Sequence, residues 1–305
     1  MSKVEFKDRV AIVTGAGGGL GRMHALALAA RGVKVVVNDL GGAVDGTGGS
    51  TSAAQNVVAE IKAAGGEAMA NGANVTNAAD VEAMVEEAIS TFGKVDILIN
   101  NAGILRDKSF SKMTMEDWRQ VIDVHLNGSA TCTKAVWNHM KENGYGRIVM
   151  TTSSSGMYGN FGQTNYGAAK AGLSGLMRTL CLEGAKYNIR VNVLSPTART
   201  RMTEGLMPEA ILEHLTLEPV SQGLVYLCCD DAPNRTILCA GAGGYSATKV
   251  FETQGLNLTE ENQTAEMIAK HWDKIVDETD MEEFTNGSQQ GTKFLTRIQK
   301  GEFLA

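Results

Sequence analysis

The stretch RVAIVTGAGGGLGR, residues 9–22, decides the fold of this chain. Its apolar run predicts a buried strand, and the glycines that follow predict a tight turn leading directly into a helix. The spacing G-x-x-x-G-x-G falls on Gly15, Gly19 and Gly21. Leu20 stands where the last glycine of G-x-G-x-x-G would fall, so that variant does not fit. Glycines allow close backbone approach and a helix N-terminus attracts phosphate, so the stretch predicts a dinucleotide site.

Similar apolar runs recur along the chain and alternate with stretches of helical periodicity. The predicted strands are Arg9–Thr14, Val33–Asp39, Glu67–Asn71, Val95–Asn100, Gly146–Thr152, Ile189–Ser195 and Thr236–Ala240. The predicted helices span residues 19–31, 51–64, 77–92, 116–142, 163–187 and 218–229. This alternation predicts βαβ units and a parallel sheet that is covered on both faces. We therefore expect an α/β, doubly wound parallel-sheet (Rossmann) domain of about seven strands.

The sequence pattern changes after about Val250, which predicts two domains. Residues 1–250 are expected to form the sheet domain, and residues 251–305 a C-terminal helical extension. Within the extension, residues 259–279 predict one amphipathic helix, and the acidic residues 280–290 predict an irregular stretch. The apolar face of that helix carries Met267, Ile268, Trp272, Ile275 and Val276.

Composition excludes several classes of function. A net charge of −6 argues against a nucleic-acid partner, and only 6% aromatic residues argues against stacking platforms for bases. The five cysteines form no C-x-x-C pair, and the five histidines form no H-E-x-x-H, so we expect no metal site. A hydrolase is not favoured either, because no G-x-S-x-G elbow occurs.

Because no targeting signal is recognised in the sequence, the expected location is the cytoplasm. The first residues are mostly polar, and the final Gly-Glu-Phe-Leu-Ala matches no retention or peroxisomal ending. No apolar run approaches the roughly 20 residues that a bilayer span requires, so no membrane span is expected.

The end of the second predicted strand, Asn38-Asp39-Leu40, bears on the choice of nucleotide. A carboxylate there can accept hydrogen bonds from both hydroxyls of an adenosine ribose and repels a 2′-phosphate. The glycine turn carries no basic residue before Arg22. These features favour NAD over NADP, although Asp39 could instead simply cap a turn.

Tyrosine and lysine stand four residues apart twice, as Tyr166/Lys170 and Tyr245/Lys249. Residues at this spacing share a helix face, so each ammonium group can approach its phenol. Tyr166 follows the predicted strand that leads into Ser153, at the sheet edge where ligands bind. Tyr245 follows the last predicted strand without a serine at the matching upstream position, and we interpret its pair as unrelated to the site.

The first pair predicts acid–base chemistry. A phenol has a reference pKa of about 10, and a general base at neutral pH needs a pKa lower by roughly 2–3 units. We expect Lys170, together with the positive nicotinamide of an oxidised cofactor, to lower the pKa of Tyr166. Ser153 is expected to hydrogen-bond the oxygen on which charge develops.

The motifs Thr14–Gly21, Asn100-Asn-Ala-Gly103, Ser153, Tyr166-x-x-x-Lys170 and Ser195-Pro-Thr197 together resemble the short-chain dehydrogenase/reductase family across about residues 1–245. Four further stretches are similar to the (3R)-hydroxyacyl-CoA dehydrogenase units of β-oxidation multifunctional enzymes. They are Asn38–Ala43, Gly103–Asp107, Tyr158–Gln163 and Arg201–Glu204. The length of about 300 residues and the C-terminal extension also resemble such a unit.

The resemblance implies roles for individual residues. It implies Ser153, Tyr166 and Lys170 as catalytic residues. The cofactor contacts that it implies, with those of the glycine turn, are Gly15, Gly19, Leu20, Gly21, Asp39, Asn74, Val75, Asn101, Tyr166, Lys170 and Thr197. Asn74-Val75 replaces the Asp-Val that many members use to contact adenine, and an amide oxygen can still accept a hydrogen bond from adenine.

One departure concerns the fourth catalytic position of the family. The family places an asparagine in the pattern N-x-x-G, which here reads His125-Leu-Asn-Gly128. Either His125 takes over a proton-relay role, or a water molecule does so without it. A lone helical histidine is more often structural.

The expected function is NAD-dependent oxidation of a secondary alcohol, with a 3-hydroxyacyl-CoA as the small-molecule substrate. Alternatives are a hydroxysteroid dehydrogenase, a 3-oxoacyl carrier-protein reductase, and a catalytically silent NAD-binding module. The basic residues expected near the substrate are Arg106, Lys108, Lys112, Arg199 and Arg201, and they either bind CoA phosphates or are ordinary surface charges. The resemblance implies a homodimer in which the extension helps to shape the acyl pocket.

Overall fold

The structure is a computed structural model that describes residues 4–48, 50, 52–200 and 208–304. It divides into two compact units, Met1–Ala247 and Thr248–Ala305. Arg201 and the stretch Arg201–Glu204, singled out from the sequence, lie outside the described residues.

The first unit is built on a sheet of eight strands in the order β3-β2-β1-β4-β5-β6-β7-β8. The strands are β1 (Val10–Thr14), β2 (Lys34–Asn38), β3 (Ala68–Asn71), β4 (Ile97–Asn100), β5 (Gly146–Thr151), β6 (Ile189–Thr197), β7 (Ile237–Gly241) and β8 (Gly244–Thr248). Strands β1 to β7 pair in parallel. The predicted doubly wound parallel sheet is therefore confirmed.

The eighth strand is the difference from the prediction of about seven. Two residues separate β7 from β8, and so short a connection can join only antiparallel neighbours. Its first four residues are exposed, so β8 lacks the buried apolar run that marks the other strands in the sequence. An exposed edge strand of this kind gives little periodic signal.

Helices cover both faces of the sheet. They are α1 (Gly19–Ala29), α2 (Ser52–Ala63), α3 (Ala78–Phe92), α4 (Met115–Ile122), α5 (Gly128–Asn143), α6 (Ser154–Tyr158), α7 (Thr164–Gly184), α8 (Glu209–Leu212) and α9 (Leu217–Cys228). One buried cluster joins the sheet to α1, α2 and α9, and the other joins it to α3, α5 and α7. Along β1, Ala11 and Val13 belong to one cluster and Ile12 to the other, so every strand position is buried.

The helix predicted over residues 116–142 is interrupted. A π-helical turn, Asp123–Asn127, separates α4 from α5. Thr114 and Asp117 cap α4 reciprocally, each side chain accepting from the other's backbone N–H. His125 is the buried residue of this π-helical turn, which has one residue more per turn than an α-helix. Such turns are frequent at functional sites.

The order of β1 between β2 and β4 creates a topological switch point. From β1 the chain continues to β2 and β3 on one side of the sheet, and after β3 it crosses to β4 on the other side of β1. This reversal of strand order opens a crevice at the carboxyl ends of β1 and β4. The glycine turn after β1 and the loop after β4 border this crevice.

The C-terminal unit corrects one prediction. The single helix expected over residues 259–279 is instead a 3₁₀ turn (Glu260–Asn262), α10 (Ala265–Lys270) and α11 (Trp272–Ile275). A further helix, α12 (Ser288–Lys300), begins inside the stretch expected to be irregular.

Local hydrogen bonds explain where these short helices begin and end. Thr264 caps α10 through the N–H of Met267, and the Ile275 carbonyl accepts from the Thr253 hydroxyl. Side-chain bonds of this kind compete with helix continuation. Trp272 remains 55% exposed on the unit, and Ile268 and Val276 are also exposed.

A buried histidine makes the sheet unit sensitive to acid. His24 of α1 is fully buried and its Nδ1 lies 2.7 Å from the Ser221 hydroxyl of α9. Burial lowers the pKa of His24 to about 3. The unfolded chain takes up this proton below about pH 6.5 and the folded chain does not, so stability is lost as pH falls from 6.5 towards 3.

Replacing His24 with glutamine should reduce this acid sensitivity. Between pH 7.5 and 5, the free energy of unfolding of the wild type should fall by about 2 kcal/mol more than that of His24→Gln. Urea unfolding at both pH values measures the difference. Equal losses in the two proteins would show that His24 is not held neutral by the fold.

Candidate active site

A cleft of about 850 Å³ opens at the carboxyl edge of the sheet, over the switch point. It brings together every site residue that the sequence predicted: Gly15, Gly19, Leu20, Gly21, Asp39, Asn74, Val75, Asn101, His125, Ser153, Tyr166, Lys170 and Thr197. Among the described residues that line the cleft, Lys170 is the only lysine or arginine.

Close packing at the glycine turn explains why side chains are excluded there. Gly15 has φ of +65°, and a Cβ on it would lie 2.8 Å from the Cα of Ala102. A Cβ on Gly21 would lie 2.6 Å from Asn101 Nδ2. Asn101 fixes the turn, because its amide donates to the carbonyl oxygens of Thr14 and Gly15 at 3.0 and 3.1 Å. The turn after β1 is thus locked to the end of β4.

The outer side of the same turn is open. Nothing lies within 4 Å of the Cβ position of Gly18 or Gly19, and both residues line the cleft. The first N–H groups of α1 start here, where intrahelical acceptors are missing. A bare backbone at a helix N-terminus fits a pyrophosphate, so the residues present suit a dinucleotide.

Asp39 stands at the end of β2 and organises the loops around it. Its Oδ2 accepts from the N–H of Gly17 at 2.7 Å and its Oδ1 from the N–H of Gly41 at 2.6 Å. The carboxylate therefore caps the loops and also lines the cleft. Each oxygen retains a further lone pair that can accept a ribose hydroxyl.

Asn74 and Val75 border the same end of the cleft. The Asn74 side-chain oxygen accepts from the N–H and the hydroxyl of Thr76, at 3.0 and 2.9 Å. Val75 is buried and packs close to Gly128 at the start of α5. These contacts fix the position of both residues beside the crevice.

Ser153, Tyr166 and Lys170 come together at the inner end of the cleft. Ser153 is the N-cap of α6, and its hydroxyl is hydrogen-bonded to the Tyr166 phenol. Lys170 lies one turn along α7, with its Nζ 5.4 Å from the centre of the Tyr166 ring. The Lys170 ammonium donates to the carbonyl oxygen of Thr151 at 2.6 Å.

Burial has the largest effect on the ionisation of this pair. Burial raises the pKa of Tyr166, the hydrogen bond from Ser153 lowers it, and the negative charge of Asp107 raises it further. Burial lowers the pKa of Lys170 to about 7. In the protein alone, burial therefore outweighs the hydrogen bond from Ser153 at Tyr166, and the Lys170 ammonium is directed at Thr151. The lowering of the Tyr166 pKa by Lys170 together with the nicotinamide stays a prediction for the complex with the oxidised cofactor.

His125 lies against the aromatic ring of Tyr166. Its imidazole meets the Tyr166 ring edge-on, with centroids 5.1 Å apart. Nε2 lies 2.8 Å from the carbonyl oxygen and 3.1 Å from the nitrogen of Ile104. Burial, reinforced by the charge of Lys170, holds the pKa of His125 well below its usual value. The ring is thus neutral and fixes the loop after β4.

The basic residues expected near the substrate are mostly engaged elsewhere. Arg106 and Lys108 bind the carboxylate of Asp117 at 3.2 and 2.9 Å, and with Thr114 they hold its pKa well below the usual range. Arg199 pairs with Glu209. Arg106 and Lys108 are therefore paired with a buried carboxylate, Asp117, that the sequence pattern does not indicate.

The second tyrosine–lysine pair stands apart from the cleft. Tyr245 donates to the carbonyl oxygen of Pro219 at 2.7 Å, and Lys249 pairs with Glu283 at 2.7 Å. Neither residue lines the cleft.

At this sheet edge a glycine-lined crevice meets a half-buried tyrosine and a buried lysine. This arrangement is typical of dinucleotide-dependent oxidoreductases, which is the class that the fold and the site define. The family model described as short chain dehydrogenase matches residues 9–210. This chain belongs to the short-chain dehydrogenase family and is an oxidoreductase.

Two curated relatives illustrate the similarity. A putative short-chain type dehydrogenase/reductase of Mycobacterium tuberculosis is 48% identical over 272 residues, which are 89% of this chain and 95% of the relative. The peroxisomal multifunctional enzyme type 2 of Mus musculus is 47% identical over 296 residues, 95% of this chain. The match spans only 39% of the mouse enzyme.

Solved structures agree with this assignment. The full-length peroxisomal multifunctional enzyme type 2 of Drosophila melanogaster matches with a TM-score of 0.81 and 36% identity, over 98% of this chain and 50% of that one. A 7α-hydroxysteroid dehydrogenase complexed with NADH and 7-oxoglycochenodeoxycholic acid matches with a TM-score of 0.71 and 31% identity, over 79% of this chain and 95% of that one.

Among the described residues, no helix is both long and apolar enough to cross a membrane. Within the same part of the chain, no three His, Cys, Asp or Glu side chains are grouped as metal ligands.

Proposed function

We propose that this enzyme oxidises a secondary alcohol to a ketone with NAD, and that its substrate is a (3R)-3-hydroxyacyl-CoA, converted to the 3-oxoacyl-CoA. The observation that carries the reaction type is the Ser153–Tyr166 hydrogen bond with Lys170 beside it at the inner end of the cleft. Similarity to multifunctional enzymes whose sequence match covers 95% of this chain supports the substrate.

In this proposal, the phenol oxygen of Tyr166 accepts the proton of the substrate hydroxyl as the carbon is oxidised. Ser153 hydrogen-bonds the same substrate oxygen and keeps it next to the phenol. Lys170 supplies positive charge from within the protein, which stabilises the ionised phenol. The chemistry that NAD supplies when bound is acceptance of a hydride from the alcohol carbon.

The residues that would hold NAD follow the length of the cleft. The turn Gly15–Gly21 would hold the pyrophosphate, Asp39 the adenosine ribose, and Asn74 with Val75 the adenine. Asn101, Thr197 and Lys170 would hold the nicotinamide end. Support comes from the open backbone at Gly18 and Gly19 and from the structural relative solved with NADH.

Replacing Asp39 with alanine should narrow the preference for NAD. We expect the wild type to have a kcat/KM for NAD well above that for NADP, because a carboxylate repels the 2′-phosphate. In the variant, the ratio of kcat/KM for NAD to that for NADP should be smaller. Its affinity for NAD should also fall, because Asp39 orders the backbone at Gly17 and Gly41. Steady-state kinetics with both cofactors measures the ratio. A wild type that prefers NADP would contradict the assignment and favour a 3-oxoacyl carrier-protein reductase.

The substrate is tested with a panel of alcohols and NAD. We expect NADH production with (3R)-hydroxyacyl-CoAs and little with their (3S) isomers. A hydroxysteroid dehydrogenase is the second candidate, favoured by the similarity to the 7α-hydroxysteroid enzyme, and it would instead turn over steroid alcohols. A protein that binds NADH but oxidises no alcohol would be the catalytically silent module.

A homodimer is also part of the proposal and rests on similarity to the multifunctional enzymes. Light scattering on the purified protein measures its mass in solution. A monomer at micromolar concentration would contradict the proposed homodimer.

A further inference from the structure

Residues 40–48 form a loop that lies across the crevice at the switch point, and we call this loop the strap. It begins just after β2, and hydrogen bonds join its tip to the loop after β4. Because β1 lies between β2 and β4 in the sheet, the strap crosses the carboxyl end of β1 over roughly 10 Å, which is two strand spacings. The strap also lines the cleft, through residues that include Gly42, Val44 and Gly46.

Backbone and apolar contacts hold the tip of the strap to the loop after β4. The N–H of Leu105 donates to the Val44 carbonyl oxygen at 3.0 Å. Gly46 packs against Ile104, since a Cβ at Gly46 would lie 3.2 Å from Ile104 Cγ2. These contacts join groups of the protein only, so they form without the help of a ligand.

Arg106 adds a contact that joins the strap to two helices. Its Nε donates to the Asp45 carbonyl oxygen of the strap at 3.0 Å, and its Nη1 donates to Asp117 Oδ1 of α4 at 3.2 Å. The Arg106 carbonyl oxygen accepts from the Asn165 side-chain amide at 3.2 Å, and Asn165 is fully buried at the start of α7. One guanidinium group therefore ties the strap to α4, while α7 fixes the backbone that carries it.

The strap is held less firmly than the loop it contacts. Residues 45–48 are exposed, and none of the strap residues, all of which the structure describes, belongs to a buried apolar cluster. Ile104, by contrast, is buried, and His125 Nε2 lies 3.1 Å from its nitrogen. Segments with few buried contacts open at a low free-energy cost. We therefore expect the strap to move and the loop after β4 to stay in place.

We propose that Arg106 is a positioning residue for the cofactor: it holds the strap closed over the cleft, and its bond to Asp45 breaks whenever a nicotinamide dinucleotide enters or leaves. This inference rests on the proposed function, which places the dinucleotide along this cleft. Arg106 does not line the cleft and acts on the nucleotide through the strap. Opening of such loops commonly limits the exchange of ligands.

This role has a kinetic signature that plain structural support does not have. The nucleotide leaves through the opening by which it enters, and the strap contacts form without it. Loss of the Arg106 bond should therefore raise the rate constants of association and dissociation together, while Kd changes little. A residue that only shaped the binding surface would, when replaced, raise the dissociation rate constant and Kd and leave association unchanged.

The test measures NADH exchange by stopped-flow fluorescence, with dissociation followed by displacement with excess NAD. Arg106→Met should raise both rate constants about tenfold, a change of the size expected for losing one hydrogen bond from a charged group. Its Kd for NADH should stay within about twofold of the wild-type value. Asp117 keeps Lys108 and Thr114 as partners in this variant, so the start of α4 should remain folded.

Lys108→Met is the matched control for Arg106→Met. Lys108 binds the same Asp117 carboxylate at 2.9 Å, but its backbone N–H donates to the Gly162 carbonyl oxygen and not to the strap. Both rate constants should therefore stay near the wild-type values. Equal acceleration in Lys108→Met would show that the lost partner of Asp117, and not the strap contact, controls the exchange, and would overturn the proposal.

Gly46→Ala weakens the same contact from the strap side, so the test does not depend on Arg106→Met being folded. Gly46 has φ of +88°, which alanine rarely adopts, and the new methyl group would crowd Ile104. This variant should also speed association and dissociation together. If association is no faster in either variant, the proposal is overturned.

The same measurements separate this inference from the proposed function. Unchanged NADH exchange in both variants of an enzyme that oxidises the alcohols overturns the role of Arg106 alone. Faster exchange in an enzyme that oxidises none of the alcohols overturns the proposed function and leaves the strap in place. A wild type that binds neither NADH nor NADPH overturns both.

Discussion

Replacing Tyr166 with phenylalanine should lower kcat for alcohol oxidation by about 10²–10⁴-fold, the usual contribution of a general acid–base group. The phenol is the group that exchanges the proton in the proposed reaction, and Ser153 and Lys170 act on the same oxygen through hydrogen bonding and charge. The phenyl ring keeps the edge-on contact with His125, so the fold and the affinity for NADH should be preserved. Turnover and NADH binding, measured on the same sample, separate the two effects.

Tyr245→Phe is the matched control for this experiment. Tyr245 also precedes a lysine by four residues, but its hydroxyl donates to the Pro219 carbonyl away from the cleft. Loss of that one exposed hydrogen bond should leave kcat near the wild-type value. If the two variants exchanged behaviour, the assignment of the catalytic tyrosine would be lost.

The strands and the course of the cleft were accessible from the sequence for a physical reason. Buried parallel strands leave continuous apolar runs, and the glycine turn must be glycine because Gly15 and Gly21 touch other backbone. A strand such as β8, exposed at the edge of the sheet, leaves no such run. Its existence depends on hydrogen bonds to β7, which periodicity does not record.

Tertiary contacts account for what the sequence did not reveal at the site. The π-helical turn adds one residue to the helical turn and so changes the direction of the His125 side chain. No residue type in the sequence indicates such a turn. The same limit applies to Asp117, whose carboxylate binds Arg106 and Lys108 from a different element. Charges that looked available for a substrate phosphate are therefore already paired.

The C-terminal unit shows how capping decides between one helix and several. Apolar spacing predicted one long helix, but Thr264 begins α10 late and His271, with φ of −109° and ψ of 18°, separates it from α11. The apolar residues therefore recur at helical spacing although side-chain hydrogen bonds interrupt the helical backbone.

Replacing Gly21 with alanine should weaken NADH binding more than the same replacement at Gly18 or Gly19, where the Cβ position is open. The new methyl group would lie 2.6 Å from Asn101 Nδ2 and 2.8 Å from the carbonyl carbon of Gly15, with the Gly15 oxygen closer still. These atoms are held by the Asn101 bonds to the Thr14 and Gly15 carbonyls, so the helix or the turn must move. We expect a loss of about 2–3 kcal/mol in NADH binding, roughly 30- to 150-fold in Kd.

Gly175→Ala provides the same chemical change inside α7, where nothing lies within 4 Å of the added carbon. That variant should bind NADH like the wild type and gain up to about 1 kcal/mol of stability, since alanine favours the helix. Calorimetric titration with NADH and urea unfolding of both variants give the two quantities. Wild-type affinity in Gly21→Ala would mean that the turn tolerates displacement. The close approach of α1 to the end of β1 would then have no part in holding the nucleotide.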